Sequence, residues 1–332
     1  MKSVARILFA VREPGDRRHA GIEKAAALAR ELGASLELFH AITAPVFLDL
    51  QPITGTSLAK LKRDALEQRQ RRLEKLAAVA RKHGVTTTCR VEWDFPPHEA
   101  IVRRAARMGA DLVVAEFHKG ARTRPWLMHL TDWELLRTSS IPVLLLKAGA
   151  RRRRGGAVLA AIDPSHKHAK PLPLDADIVA AGELMSRALG GKLHLVHAID
   201  PAFNGLAFGD PLIDARTFAV MYEQLREQRK ADFEKFAAST GVPRARRHLV
   251  DGNPVAAIPG CARRLNASLV IMGAVSRSGL KRLFIGNTAE RVLGELPCDV
   301  LVIHPARSAA RVKARRRGMR VVAAPPLMPM PV

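Results

Sequence analysis

Cysteine is scarce in this chain. Its 332 residues hold three, Cys89, Cys261 and Cys298, scattered and without any C-x-x-C spacing. An odd, dispersed set gives neither a disulfide framework nor a zinc site, and it fits a reducing cytoplasm. Aromatics are few and only one is tyrosine, so platforms on which nucleic-acid bases stack are not expected. No apolar run is long enough to cross a bilayer. The start, MKSVARILFAVREPG, is basic and then apolar, but Arg6 interrupts it and Arg12-Glu13 end it. It reads as a first buried strand and not as a signal peptide. The Gly-rich P-loop ending in Lys-Ser/Thr is missing, as is a Gly-x-Ser-x-Gly elbow. Ser165, His166 and His168 lie near one another, yet no carboxylate stands ready to orient them. His40 and His197 have no second ligand at metal spacing and are expected to pack or hydrogen-bond.

What the chain has in excess is positive charge, a formal +23. Part of it is concentrated in Arg151–Arg154 and in a tail carrying Arg307, Arg311, Lys313, Arg315, Arg316, Arg317 and Arg320. Such blocks are usually solvated and attract nucleic acid or anionic lipid without sequence preference. No helix-turn-helix, zinc-finger or RRM pattern accompanies them, so nucleic acid is expected only as a nonspecific partner. The Pro-, Met- and Arg-rich tail, 306–332, is expected to be disordered.

The chain is an internal repeat. Gly33 and Gly190 stand 157 positions apart, and the same step carries His40-Ala41-Ile42 onto His197-Ala198-Ile199. It also carries Pro97 onto Pro254, Leu112-Val113 onto Leu269-Val270 and Val143-Leu144 onto Val300-Leu301. One fixed offset, in strand and helix segments alike, means a tandem duplication. The halves are read as domains 1–149 and 157–305, joined by a basic linker, 150–156, with Gly155-Gly156 as turn residues. Each half reads βαβαβαβαβ. Strands are expected near 4–11, 35–42, 86–92, 111–116 and 142–147, and again near 157–162, 192–199, 245–250, 268–273 and 299–304. Long helices are expected at 57–83 and 214–241. Strands alternating with helices give an α/β fold, a parallel sheet covered on both faces.

The most informative stretch is Val270–Pro305. Val270–Met272 ends a strand at Gly273, a small, basic loop follows, and Gly286-Asn287-Thr288 opens a helix with Ala289, Val292, Leu293 and Leu296 on one face. Backbone N–H groups feeding a helix N-terminus can hold a phosphate. An ordinary βαβ unit with turn glycines accounts for the same pattern.

This segment resembles the phosphate loop of the universal stress protein family: Gly, two residues, Gly, nine residues, Gly, then Ser, Thr or Asn. Gly273, Gly286 and Asn287 match, while Ser276 replaces the second glycine, where a side chain crowds an approaching phosphate. The stretches VEWDFPPHEAI, TDWELLR, GNTAERVL and CDVLVIHP resemble the tandem-domain E type. The resemblance implies two flavodoxin-like (HUP-type) five-stranded parallel sheets of order 3-2-1-4-5. It also implies that the halves pair as a dimer within one chain, with 143–147 and 300–304 at the interface of two separate sheets.

By position the resemblance implies a site for ATP or another adenine nucleotide in the second half. Asp163 would hold the nucleoside, Ala198 and Met272 would flank adenine, and Gly273, Ser276, Gly286, Asn287 and Thr288 would surround the phosphates. Magnesium would accompany ATP only. Purely structural roles stay open: Asp163 before Pro164 as a turn cap, Asn287 as a helix cap. In the first half Glu116, Lys119, His129 and Leu130 stand at the positions of Gly273, Ser276, Gly286 and Asn287, so its phosphate loop is degenerate.

The connections APVFLDLQPITGTSL and DPAFNGLAFGDPLID are unusually apolar. Phe47, Leu48, Phe203 and Phe208 are expected either to tuck under the long helices or to line a cavity for a hydrophobic small molecule. The leading reading is a cytoplasmic, non-enzymatic stress-response protein that binds a ligand and acts through conformation or contacts with unknown protein partners. The alternatives are a slow ATP hydrolase or nucleotide-transfer enzyme, and a basic scaffold for nucleic acid or membrane surfaces.

Overall fold

The structure is a computed structural model. It describes all residues except 2, 16–19, 44–45, 49–57, 118–128, 148, 150–154, 166–173, 201–213, 275–286, 306–311, 319–320 and 324–332. The first half runs β1 (Arg6–Ala10), α1 (Ala20–Leu32), β2 (Ser35–Ile42), β3 (Val46–Leu48), α2 (Leu58–Arg81), β4 (Thr87–Trp93), α3 (Pro97–Met108), β5 (Leu112–Phe117), α4 (His129–Thr138) and β6 (Val143–Lys147). The second runs β7 (Ala157–Ala161), α5 (Leu174–Leu189), β8 (Lys192–Ile199), α6 (Ala215–Ala238), β9 (Arg247–Asp251), α7 (Pro254–Arg264), β10 (Leu269–Gly273), α8 (Asn287–Glu295) and β11 (Asp299–Ile303). A short β12 (Val321–Ala323) follows.

Local chemistry sets several boundaries. Pro97 opens α3, and Gly109 closes it in the left-handed conformation at φ 62°, as a glycine after the last turn does. Asp214 accepts the Arg216 and Thr217 N–H groups at the start of α6, and Asn253 accepts that of Val255 at α7, which satisfies donors that a helix start leaves bare.

Within each half the strand order is the expected 3-2-1-4-5. The expectation of two separate sheets is corrected: the order β4-β2-β1-β5-β6-β11-β10-β7-β8-β9 is one ten-stranded sheet. The interface strands are the expected ones, but they join edge to edge, with β6 antiparallel to β11 and Leu144 opposite Leu301. Two parallel sheets ending in bare edges lose both by pairing them, which removes unsatisfied backbone groups from a buried seam.

The core continues across the seam on both faces. Leu144, Leu146, Leu301 and Ile303 point into one layer, with α1, α2 and α5. Val143, Leu145, Val300 and Val302 point into the other, with α3, α4, α7 and α8. That is the period-two alternation of a strand buried on both sides. Reciprocal bonds lock the halves. Lys147 Nζ donates to Leu293 O of α8 at 2.6 Å and to Leu296 O. At the equivalent position, His304 Nε2 donates to Leu136 O of α4 at 2.7 Å. Each half thus caps the last turn of the other's final helix, the self-complementary pattern of a two-fold interface. Lys24 Nζ and the Lys147 N–H both reach Asp299.

Candidate functional site

In the second half β7 pairs with β8 on one side and β10 on the other. The chain order reverses there, and the crevice beyond the carboxyl ends of such strands is where open α/β sheets take ligands. Asp163 follows β7 at this edge, Ala198 lies near the end of β8, and Met272 and Gly273 end β10. The α8 N-terminus, Asn287-Thr288, opens toward the same edge because β10 and β11 run parallel. Ser276 and Gly286 lie outside the described residues, as do the side chains of Asn287 and Thr288.

The backbone around Asp163 is fixed from two directions. Its N–H donates to Asp175 Oδ1 at 3.1 Å. Asp175 is a buried residue in the first turn of α5, where the helix dipole favours a carboxylate. The preceding carbonyl, Ile162 O, accepts from His197 Nδ1 at 3.0 Å, and Asp163 Oδ1 lies 3.8 Å from the same nitrogen. His197 is buried and stacks on Phe233 at 6.0 Å between ring centroids. Burial pushes its pKa below the ordinary histidine value, with Asp163 opposing the shift. A neutral ring with its proton on Nδ1 satisfies the carbonyl. Among the described residues no group of three or more His, Cys, Asp or Glu could hold a metal ion.

The first half carries the same scaffold with different contents. His40 Nδ1 donates to Val11 O at 2.9 Å, the counterpart of the His197 bond. Arg12 stands at the Asp163 position and pairs with Asp132 at 3.9 Å. Glu116 faces Leu146 in the ladder as Gly273 faces Ile303, which fixes their equivalence. A side chain at Gly273 would meet Leu174 Cδ2 at 2.8 Å and Ile178 Cδ1 at 3.3 Å. In the first half the residue at the Ile178 position is Gly21, and the Glu116 side chain fills the space beside it. Phe117 takes the place of Ala274 and meets Trp133 edge-on at 6.2 Å, with Lys147 Nζ 5.3 Å from its ring. The space beside the strand end is thus filled from the helix in the second half, by Leu174 and Ile178, and from the strand in the first, by Glu116.

Sequence reading singled out neither Asp175 nor Gly21. An acidic residue in the first turn of α5 and a glycine inside α1 were the available signals. Of the apolar residues, Phe47 and Leu48 belong to β3, whose backbone pairs in parallel with β12. Their side chains lie outside the described residues, as do Phe203 and Phe208 altogether. Of the tail, 312–318 and the backbone of Val321–Ala323 are described and contact the first half, and the rest of 306–332 lies outside the described residues. Among the described residues no helix is long and apolar enough to cross a membrane.

Comparison with known proteins agrees with this architecture. The model of the universal stress protein family matches residues 4–147 and again 158–304. Universal stress protein E of Escherichia coli K12 is 26% identical over 299 residues, which covers 90% of this chain and 93% of that protein. The homologue in Photorhabdus laumondii is 27% identical over 271 residues, 80% of this chain and 83% of its own. Among solved structures, a functionally unknown Pseudomonas aeruginosa protein, PA1789, superposes with a TM-score of 0.64 at 24% identity, covering 92% of this chain and 95% of its own. A universal stress protein from Archaeoglobus fulgidus gives 0.60 at 17% identity, with 92% and 98% covered. With the family's domain matched twice, along one ten-stranded sheet, the chain belongs to the universal stress protein family.

Proposed function

We propose that this protein binds an adenine nucleotide at the second half and acts through conformation or partner contacts, without rapid chemistry. One observation carries the reading. At this edge the second half carries Gly273 on the strand and an Asp163 whose backbone is pinned by Asp175 and His197, whereas the first half carries Glu116 and Arg12 at those two positions. Asp163 would accept from the ribose hydroxyls, and the ends of β8 and β10 at Ala198 and Met272 would flank the base. The N–H groups leading into α8, with Ser276, Gly286, Asn287 and Thr288, would take the phosphates. Magnesium enters only with ATP, through its phosphates.

Binding is expected to be weak, because Ser276 stands where a glycine would let backbone approach phosphate. Mass spectrometry of small molecules released from the purified, denatured protein should find an adenine nucleotide. In calorimetry with ATP, Ser276→Gly should tighten binding and Gly286→Val should abolish it. Equal affinities for wild type and both variants would rule the site out.

A further inference from the structure

The C-terminal segment does not leave the molecule where β11 ends. Because β11 runs antiparallel to β6, Pro305 emerges at the edge where the strands of the first half begin. Its next anchors lie at the opposite edge, where those strands end. The Arg317 N–H donates to Asp94 Oδ1 at 2.9 Å, just beyond β4. The Arg317 guanidinium donates to Glu99 Oε1 at 2.8 Å in the first turn of α3 and lies 5.9 Å from the centre of the Phe95 ring. Arg316 Nη1 is 3.6 Å from Glu92 Oε2. Between the two edges, Val312 packs against the helix-side core. Beyond the arginines, β12 adds to β3, with Val321 opposite Val46 and Ala323 opposite Leu48.

These anchors are of unequal kind. Asp94 is fully buried and already holds Arg103 through two bonds, at 2.8 and 2.9 Å, while Glu92 is 2% exposed. Arg316 and Arg317 themselves are about half exposed, at 46% and 50%. Preorganised carboxylates thus face two arginines that water and salt can reach, so attachment strengthens at low ionic strength and weakens as screening grows. The second half has nothing comparable among the described residues: Asp251, at the Asp94 position, pairs with Arg226 and Tyr222 of its own α6.

We propose that the basic C-terminal segment is an intramolecular strap. It closes the carboxyl edge of the first half over β2 and β4, and Arg316 and Arg317 make that closure releasable by salt. The proposal is independent of nucleotide binding.

Amide hydrogen exchange on the full-length protein tests it, read at 46–48 with β1 and β2 as internal controls. At low salt the β3 amides should be protected. Arg317→Glu, or 1 M sodium chloride on the wild type, should speed their exchange by at least about tenfold while β1 and β2 stay unchanged. Arg317→Lys, which keeps the charge, should lie close to wild type. Exchange at β3 that is fast in the wild type, or that neither salt nor Arg317→Glu alters, would overturn the strap.

Discussion

Glu116 lies over the bare α-carbon of Gly21, so closely that no side chain fits on Gly21 without displacing it. The second half makes the opposite choice at the same two positions, with Gly273 on the strand and Ile178 on the helix. One packing site is filled from the strand in one half and from the helix in the other.

That exchange makes Gly21 and Glu116 energetically coupled. Gly21→Ala should destabilise the protein by about 1–3 kcal/mol through overpacking. In a Glu116→Ala background the cost should largely vanish, a coupling above about 0.5 kcal/mol. Urea unfolding of the four proteins in the cycle measures it. Strictly additive effects would contradict the described packing.

Arg103 is the counter-ion of a carboxylate that has left water. Arg103 and Asp94 are 1% and 0% exposed in their side chains, and Arg103 also reaches Glu99 at 2.8 Å and Phe95 O at 3.1 Å. Arg103→Met would leave Asp94 buried without its cation and should cost about 3–5 kcal/mol. Arg71→Met removes an ion pair between side chains 80% and 54% exposed, and should shift the unfolding midpoint hardly at all. Similar costs for the two variants would be the contrary result.

Stability should fall as the medium is acidified from pH 7.5 to 5. Burial is the largest cause lowering the pKa of His40, His197 and His304, and of the His194–His248 pair, with His194 brought down to about 4. The unfolded chain takes up these protons near 6.5, while the folded protein resists them. Below 6.5 the unfolded state therefore binds more protons, and folding stability declines with falling pH. Each fully buried histidine contributes at most about 1.4 kcal/mol per pH unit. The pair adds to this because His194 Nδ1 and His248 Nε2 are 2.9 Å apart, a contact that two charged rings cannot keep. A urea midpoint that stays flat over this range would contradict the burial of these rings.

Much of the fold was legible because its signals are local and duplicated. The runs ending at Ile42 and Ile199 have the length and apolar content of buried strands, and Gly33 and Gly190 both adopt the left-handed conformation after their helices. The join between sheets was not legible. VLLLK and DVLVI read as strands buried on both faces, and nothing in such a run says whether its backbone edge meets another strand. The seating of the tail was hidden for a related reason. Arg316 and Arg317 look like solvated charge until Glu92, Asp94 and Glu99, more than two hundred residues earlier, are brought beside them by the fold. At the candidate site, the loop pattern singled out Gly273 and the family resemblance Asp163, but the bonds of Asp175 and His197 to the backbone around Asp163 form only through contacts across β7.

The division of labour between the halves is tested most directly by the stoichiometry of ATP binding in calorimetry, on wild type, Asp163→Ala and Arg12→Ala. One nucleotide per chain is expected, lost in Asp163→Ala and retained in Arg12→Ala, its first-half counterpart. Two sites per chain, or one site lost in Arg12→Ala and indifferent to Asp163→Ala, would contradict the account.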